Sequence, residues 1–167
     1  MEHMKKAAQR GVLISIDPGV HGCGVAIWID SKLQAAGYAA ERRGLRTTAE
    51  AVRLFVSQNC SPRVERLVVE VPQVYRPSEQ KGDQKDLIDL TFVAGQVAGI
   101  LENVTRCSTL TVQPREWKGQ APKPVSRARS IAALDADEEN AVVLPRSRKK
   151  QLDVWDAVGI GLWRLGR

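Results

Sequence analysis

The sequence is poor in the residues that mark several large functional classes. Among its 167 residues there are three cysteines and two histidines, and aromatic residues make up 5%. Cys23, Cys60 and Cys107 are odd in number and widely spaced, and no CxxC pair occurs. The pattern therefore indicates neither a zinc site nor a disulfide framework, and we expect buried free thiols.

Long hydrophobic runs and internal repeats are also missing. No uninterrupted apolar run reaches the ~18 residues that span a bilayer, and Glu2 and His3 stand where a signal peptide would be basic and apolar. We therefore expect a cytoplasmic protein without a membrane partner. We also expect residues 1–10 to be a flexible N-terminal segment, partly of cloning origin, and residues 11–167 to form a single domain.

Basic residues exceed acidic ones, and the two kinds are segregated along the chain. The formal net charge is +6 and the sequence pI is about 9.5. Acidic residues gather in Asp135–Glu139, whereas basic residues gather in Arg76–Lys85, Arg115–Arg129 and Arg146–Lys150. Segregated charge of this kind favours a DNA or RNA partner.

Hydrophobic periodicity and turn residues predict five strands and four helices. The predicted strands are Val12–Ile16, Gly22–Ile29, Ser31–Ala39, Arg66–Val71 and Thr109–Val112. The predicted helices are one that a capping box at Thr47–Glu50 opens and Ala51–Val56 continues, a buried one at Leu87–Val104, a basic amphipathic one at Val125–Leu134, and Gln151–Leu165. Pro72–Asp86 and Arg115–Pro124 are predicted loops.

This order of elements predicts an α/β fold. Short connections between the first three strands imply an antiparallel meander, and right-handed crossovers make strands one, four and five parallel. We therefore expect a mixed five-stranded sheet, a three-strand antiparallel meander plus two parallel strands, flanked by helices.

Four carboxylates form the main candidate site. Asp17 ends the first strand and Glu70 lies near the end of the fourth, so neighbouring strands would bring both acids to one crevice. Asp153 and Asp156 are three residues apart and share one face of the last helix. Oxygen ligands of this kind select Mg²⁺ or Mn²⁺, and two such ions would suit displacement at a phosphodiester.

Each acid also has a structural interpretation. Asp17 precedes a Pro-Gly turn, and Asp153 could simply favour the N-terminal part of a helix. Glu70 is harder to explain in this way, because it lies within an apolar strand where a carboxylate without a partner is costly. The four acids together therefore favour a magnesium-dependent nuclease.

Motifs across the chain resemble the RuvC-type Holliday-junction resolvases of the RNase H-like superfamily, especially small phage-type members. The matching pieces span Ile14–Trp163 and are Ile16-Asp17-Pro18-Gly19, Gly22-Cys-Gly-Val-Ala-Ile-Trp28, Val69-Glu70-Val71-Pro72, Gly95-Gln-Val-Ala-Gly99 and Asp153-Val-Trp-Asp156-Ala157-Val-Gly-Ile160. The resemblance implies an RNase H-like fold and a homodimer that resolves four-way DNA junctions by paired nicks, in a bacterial or phage-infected cell. It also implies that the four acids are metal ligands and catalytic residues.

The resemblance further implies roles for basic and aromatic residues. Lys118 and Lys123 correspond to family lysines that serve phosphate contact or catalysis, and solvated loop charge is the alternative interpretation. Tyr75 would be a wedge that stacks on an unpaired base, or else it packs at the base of its loop. Further contacts to the DNA backbone are expected from the cationic side chains Arg76, Lys81, Lys85, Arg115 and Arg127.

Three other functions stay open at this point. A nuclease of this fold could cut other branched DNA, RNA–DNA hybrids or structured RNA. A sugar-kinase or actin-type ATPase has a phosphate-binding hairpin that Asp17-Pro-Gly…Gly22 faintly resembles, but the chain is short and the late aspartates would be unexplained. A non-cleaving junction-binding module would have no need for four acids.

Overall fold

A computed structural model describes residues 11–41, 47–60, 63–74 and 83–167. The expectations for residues 1–10, Tyr75, Arg76 and Lys81 lie outside these residues. The described strands are β1 (Val12–Asp17), β2 (Gly22–Ile29), β3 (Lys32–Ala40), β4 (Val64–Glu70) and β5 (Thr109–Val112). Each lies within two residues of its predicted bounds.

The five strands form one mixed sheet in the order β3-β2-β1-β4-β5. β1 pairs antiparallel with β2 and parallel with β4, β2 pairs antiparallel with β3, and β4 pairs parallel with β5. This arrangement confirms the predicted meander and the parallel pairing of strands one, four and five. It also makes β1 and β4 neighbours, which the grouping of Asp17 with Glu70 requires.

The helices depart from the prediction more than the strands do. They are α1 (Thr48–Asn59), α2 (Gln84–Thr105), α3 (Pro114–Lys118), α4 (Lys123–Ala132), α5 (Ala136–Asn140) and α6 (Arg148–Leu165). The capping box at Thr47 and Glu50 is present as predicted. The Pro72–Asp86 loop prediction was wrong at its end, because Asp83 caps α2 and accepts the backbone N–H of Lys85.

Two short helices were not predicted. The expected Arg115–Pro124 loop is wrong in part, because α3 ends at Lys118 and α4 begins at Lys123. Proline suits the first turn of a helix, where its missing N–H has no intrahelical partner, and Pro114 occupies that place in α3. α5 follows a complete capping box between Asp135 and Glu138.

The expectation that α2 is a buried helix is also wrong. Only Val93, Ala94, Val97 and Leu101 are buried, whereas Ile88 and Phe92 are 68% and 66% exposed. α2 is long and apolar enough to cross a membrane. This property is weak evidence for a membrane span, because core helices of soluble proteins also have it. The helix therefore has an apolar face that residues 11–41, 47–60, 63–74 and 83–167 leave uncovered.

Side-chain alternation divides the core into two layers, one on each side of the sheet. Ile14 and Ile16 of β1 belong to the layer that α1 and α2 cover. Leu13 of β1 and Val68 of β4 belong to the opposite layer, together with buried residues of α6 such as Val158. Residues at every second position from Leu13 in β1 and from Val68 in β4 therefore point towards α6.

α6 lies unusually close to the sheet. A Cβ atom on Gly24 would stand 1.9 Å from the carbonyl oxygen of Asp153, and one on Gly161 would stand 2.1 Å from Nε1 of Trp28. The Ser15 hydroxyl donates to the Ala157 carbonyl at 2.8 Å and accepts from Nε1 of Trp28 at 3.2 Å. Because glycine alone leaves this space, these contacts set both the depth and the register of α6 on the sheet.

An ion pair between the buried Glu138 and the more exposed Arg167 holds the end of the chain. Glu138 of α5 is 1% exposed, and its carboxylate accepts two hydrogen bonds from the Arg167 guanidinium, at 2.6 and 2.8 Å. It also accepts the backbone N–H groups of Leu33 and Asp135 at 3.0 Å. The hydrogen bond from Arg167 holds the pKa of Glu138 at about 2, against the effect of burial. α5 thereby ties β3 to Arg167, two residues after the end of α6.

Candidate active site

Strand geometry brings Asp17 and Glu70 to the same face. Asp17 follows Leu13 and Ser15 at alternate positions of β1, and Glu70 follows Val68 in β4, so both carboxylates point to the α6 side. Both stand at the carboxyl ends of parallel neighbouring strands. The prediction that these two acids converge therefore agrees with the structure.

α6 supplies the other two acids. Asp156 is buried and Asp153 is half-buried, in the part of the helix that Gly24 admits against the sheet. The three-residue spacing places both on one helical face, as predicted. All four acids thus lie between α6 and the carboxyl ends of β1 and β4.

The charges of the four acids act on one another. Burial raises the pKa of Asp17 well above its ordinary value, and the charges of Glu70, Asp156 and Asp153 raise it further. Burial also raises the pKa of Glu70, which Lys118 and a hydrogen bond from Trp117 partly offset. The pKa of Asp153 is raised by burial to about 6, with Lys123 opposing the shift. Such mutual repulsion marks a site that needs positive charge.

The unpredicted helix α3 brings part of that charge. Nζ of Lys118 donates to Oδ2 of Asp156 at 3.1 Å, and the two side chains are only 14% and 7% exposed. Although burial disfavours the ammonium, the charges of Glu70 and Asp156 hold the pKa of Lys118 above its ordinary value. The adjacent Trp117 donates Nε1–H to Oε2 of Glu70 at 2.5 Å. Two consecutive residues therefore each hold one carboxylate.

Sequence reasoning missed Trp117 and Tyr38 as neighbours of the acids. Tyr38 pairs with Gly24 across β3 and β2, and its pKa is raised to about 12 by burial and then by the charge of Asp153. No pattern in the sequence indicated Tyr38. For Trp117 the signal was present, since Pro114 at a helix start and Glu116 in a capping position mark α3.

The donor set fits a hard divalent cation. The acids offer only carboxylate oxygens, and the nearby Cys23 thiol has a pKa raised by burial to about 12, so it stays neutral and is no competing soft ligand. Within residues 11–41, 47–60, 63–74 and 83–167, no three carboxylate, imidazole or thiol side chains already form a cage for a metal ion. Mg²⁺ does not require one, because it keeps several waters and uses one or two carboxylates.

The remaining predicted site residues differ in their exposure and in whether their charge acts on the acids. Lys123 begins α4, and its charge acts on both Glu70 and Asp153. Arg127 is half-buried, with its guanidinium carbon 6.0 Å from the centre of the Trp155 ring. Arg115 is exposed on α3, and Lys85 is exposed on α2, where it forms an ion pair with Asp89. DNA contact by these residues stays a prediction.

The sheet order and the helices on both faces define an RNase H-like fold, which confirms the predicted class. Among solved structures, the chain is similar to Thermus thermophilus RuvC in complex with a Holliday junction substrate, at 18% identity and TM-score 0.59 over 92% of each chain. It is similar to a second T. thermophilus RuvC structure, at 18% identity and TM-score 0.54 over 93% of this chain and 96% of that one. It is also similar to the yeast mitochondrial Holliday junction resolvase Ydc2, at 10% identity and TM-score 0.53 over 92% and 77%. No protein-family model and no curated protein sequence matches the chain.

Neutralising Asp17 should stabilise the protein when no divalent ion is present. A carboxyl whose pKa is higher in the folded state than in the unfolded state destabilises the fold once the pH exceeds the unfolded value. We expect Asp17→Asn to raise the melting temperature in EDTA at pH 8 by ~2–8 °C, about 1–2 kcal/mol, and the gain to shrink as acid protonates Asp17 in the wild type. The exposed Asp137→Asn is the control, with a change within ~0.5 kcal/mol. A large loss of stability in Asp17→Asn would contradict mutual repulsion.

Proposed function

We propose that this protein is a magnesium-dependent endonuclease of the RuvC type that resolves four-way DNA junctions by paired nicks. The observation that carries the proposal is the grouping of Asp17, Glu70, Asp153 and Asp156 on one face of an RNase H-like sheet. The similarity to a RuvC bound to a Holliday junction supports the choice of DNA substrate. The proposed location is the cytoplasm of a bacterial or phage-infected cell.

The four acids are the residues that would hold magnesium, with manganese as a substitute and two ions as the expected number. The bound ions would supply activation of the attacking water and neutralisation of the charge on the leaving oxygen. The protein itself holds the four acids close together between α6 and the sheet. Glu70 is oriented by the indole N–H of Trp117, and Asp156 by the ammonium of Lys118.

Lys118 has a second proposed role, at the phosphate. Its ammonium is partly buried beside the acids, with Nζ 4.6 Å from the centre of the Trp117 ring. When DNA and metal enter, a cation at this place would stabilise the charge that develops on the phosphate. Lys123 lies at the start of α4, and its charge acts on Glu70 and Asp153. It would bind a phosphate of the DNA strand from the α4 side.

Other branched DNA and RNA–DNA hybrids are the second candidate class of substrate, because the same acids would cut any phosphodiester placed among them. Base contacts carry sequence selectivity, whereas backbone contacts only position the strand. An ATPase is disfavoured, since Asp153 and Asp156 would have no role in it. A binding module is disfavoured by the energetic cost of burying repelling carboxylates for no chemical purpose.

The test is a cleavage assay with labelled four-way junction, matched duplex and RNA–DNA hybrid, each with and without magnesium. We expect magnesium-dependent paired nicks in the junction, and a loss of ~10²-fold or more for Asp156→Asn. Glu139→Gln, an exposed acid on α5, is the matched control and should cut normally. Cutting of the hybrid alone would reject junction resolution, and full activity of Asp156→Asn would reject the site.

We also propose that the protein is a homodimer and that the uncovered face of α2 forms the contact. Ile88, Phe92, Gly95 and Gly99 follow one another at helical spacing on the exposed side, and no atom within 4 Å would meet a Cβ on either glycine. A groove of about 620 Å³ lies beside this face and includes Val74 among its lining residues. Small residues allow two helices to approach closely, so a second copy of α2 fits the face, and paired nicks require two sites.

Charge placed on this face should separate the protomers. We expect Phe92→Asp to convert a dimer into a monomer, because a carboxylate in an apolar contact loses hydration without gaining a partner. Light scattering after size exclusion measures the mass. Val143→Asp, at a residue 72% exposed elsewhere on the surface, is the control and should stay dimeric. A monomeric wild type, or a dimeric Phe92→Asp, would contradict this contact.

A further inference from the structure

A cluster of basic residues at the start of α6 has no part in the site described above. Four of the five residues 146–150 are cationic, namely Arg146, Arg148, Lys149 and Lys150, which we call the basic rim. All four are exposed, and none of them forms a salt bridge within the described part of the chain. Ser147 lies between Arg146 and the other three basic residues, and it is the N-cap of α6.

The basic rim is an unfavourable way to begin a helix. The N-terminal turn carries partial positive charge, so acids are preferred there, yet the first turn of α6 contains no acid. The Ser147 side chain makes no capping hydrogen bond either. Neighbouring cations add mutual repulsion. The rim would gain stability from a bound polyanion, in contrast to the capped starts of α1 and α5.

The basic rim borders the acid cluster on one definite side. Burial raises the pKa of Asp153, and the charges of Lys149 and Lys150 oppose that rise, as does the charge of Lys123 at the start of α4. Nζ of Lys150 lies 5.2 Å from the centre of the Tyr38 ring. Burial and then the charge of Asp153 raise the pKa of Tyr38. Cations from two separate helices therefore flank Asp153.

We propose that the basic rim binds the phosphodiester backbone of the DNA strand that passes the Asp153 side of the active site. This inference rests on the proposed nuclease function and names a contact surface for its substrate. Exposed lysines and arginines neutralise phosphates and release counterions, so they contribute affinity without regard to sequence. An extended polyanion fits better than an acidic peptide, because a run of phosphates can engage the rim and continue past the acids once cations neutralise them.

The test uses the double variant Lys149→Gln/Lys150→Gln of the full chain. Its affinity for a labelled four-way junction and a matched duplex is measured by fluorescence anisotropy across a series of salt concentrations, with Ca²⁺ replacing Mg²⁺. Loss of two phosphate contacts should reduce the slope of log affinity against log salt by ~1.8. The affinity at 0.1 M salt should fall by about 10-fold or more for both DNA forms, because backbone contacts do not select shape.

The matched control is Arg53→Gln/Arg63→Gln. Both arginines are exposed, Arg53 on α1 across the sheet from α6 and Arg63 just before β4, at the end of that strand opposite Glu70. The control should keep the wild-type slope. Thermal unfolding without DNA checks that the rim variant is folded, so that a reduced slope reports lost DNA contacts. The single Lys149→Gln change, with a slope reduced by ~0.9, gives the same answer with less perturbation.

The outcomes separate this inference from the proposed function. An unchanged slope in the rim variant, with magnesium-dependent cleavage by the wild type intact, would overturn the basic rim alone. A reduced slope in a protein that cuts no DNA would support the rim as a DNA surface and reject the nuclease. An equal loss of affinity in the control variant would also overturn the rim, because it would show that any two cations matter equally.

Discussion

The close approach of α6 to the sheet is the constraint on which the site depends. Gly24 lets the backbone of Asp153 lie against β2, and Gly161 makes room for Trp28 where its indole donates to Ser15. The Ser15 hydroxyl in turn donates to the carbonyl of Ala157, one residue after Asp156. A side chain at Gly24 would push the helix outwards, and the two acids of α6 would move away from those of the strands.

The short distance between α6 and the sheet brings four carboxylates together, and their repulsion destabilises the fold. Neighbouring residues of the chain offset part of this repulsion. Asp17, Glu70 and Asp153 all have pKa values raised by burial, so the fold tolerates rather than favours their charges. Two neighbouring residues of α3 offset part of the repulsion. Lys118 donates a hydrogen bond to Asp156, and Trp117 donates one to Glu70. A site that stays partly short of positive charge is suited to receive divalent ions and a polyanionic substrate.

The strands and the acids were predictable because their signals are local. Alternating apolar residues and the turn at Pro18-Gly19 define β1, and the same alternation decides that Asp17 and Glu70 face α6. α3 and α5 were missed for different reasons. From the sequence we predict a loop at Arg115–Pro124, although helices accept proline in the first turn. We predict only an acidic cluster at Asp135–Glu139, where Asp135 and Glu138 form a capping box.

Other features could not be predicted because they depend on contacts between distant segments. The placement of Tyr38 beside Asp153 follows from the pairing of β2 with β3 and from the depth of α6. The exposure of α2 depends on how much of its surface α1 and the sheet cover, and its apolar composition alone suggested burial. Hydrophobic content predicts that a face is covered but does not say whether the same chain covers it.

The most direct test of the central claim is an anomalous difference map from crystals of the protein grown with Mn²⁺. The account predicts metal density in contact with Asp17 and with at least one of Glu70, Asp153 and Asp156, and its loss in Asp17→Asn. Absence of metal density among these acids, at a Mn²⁺ concentration that supports cleavage in solution, would contradict it.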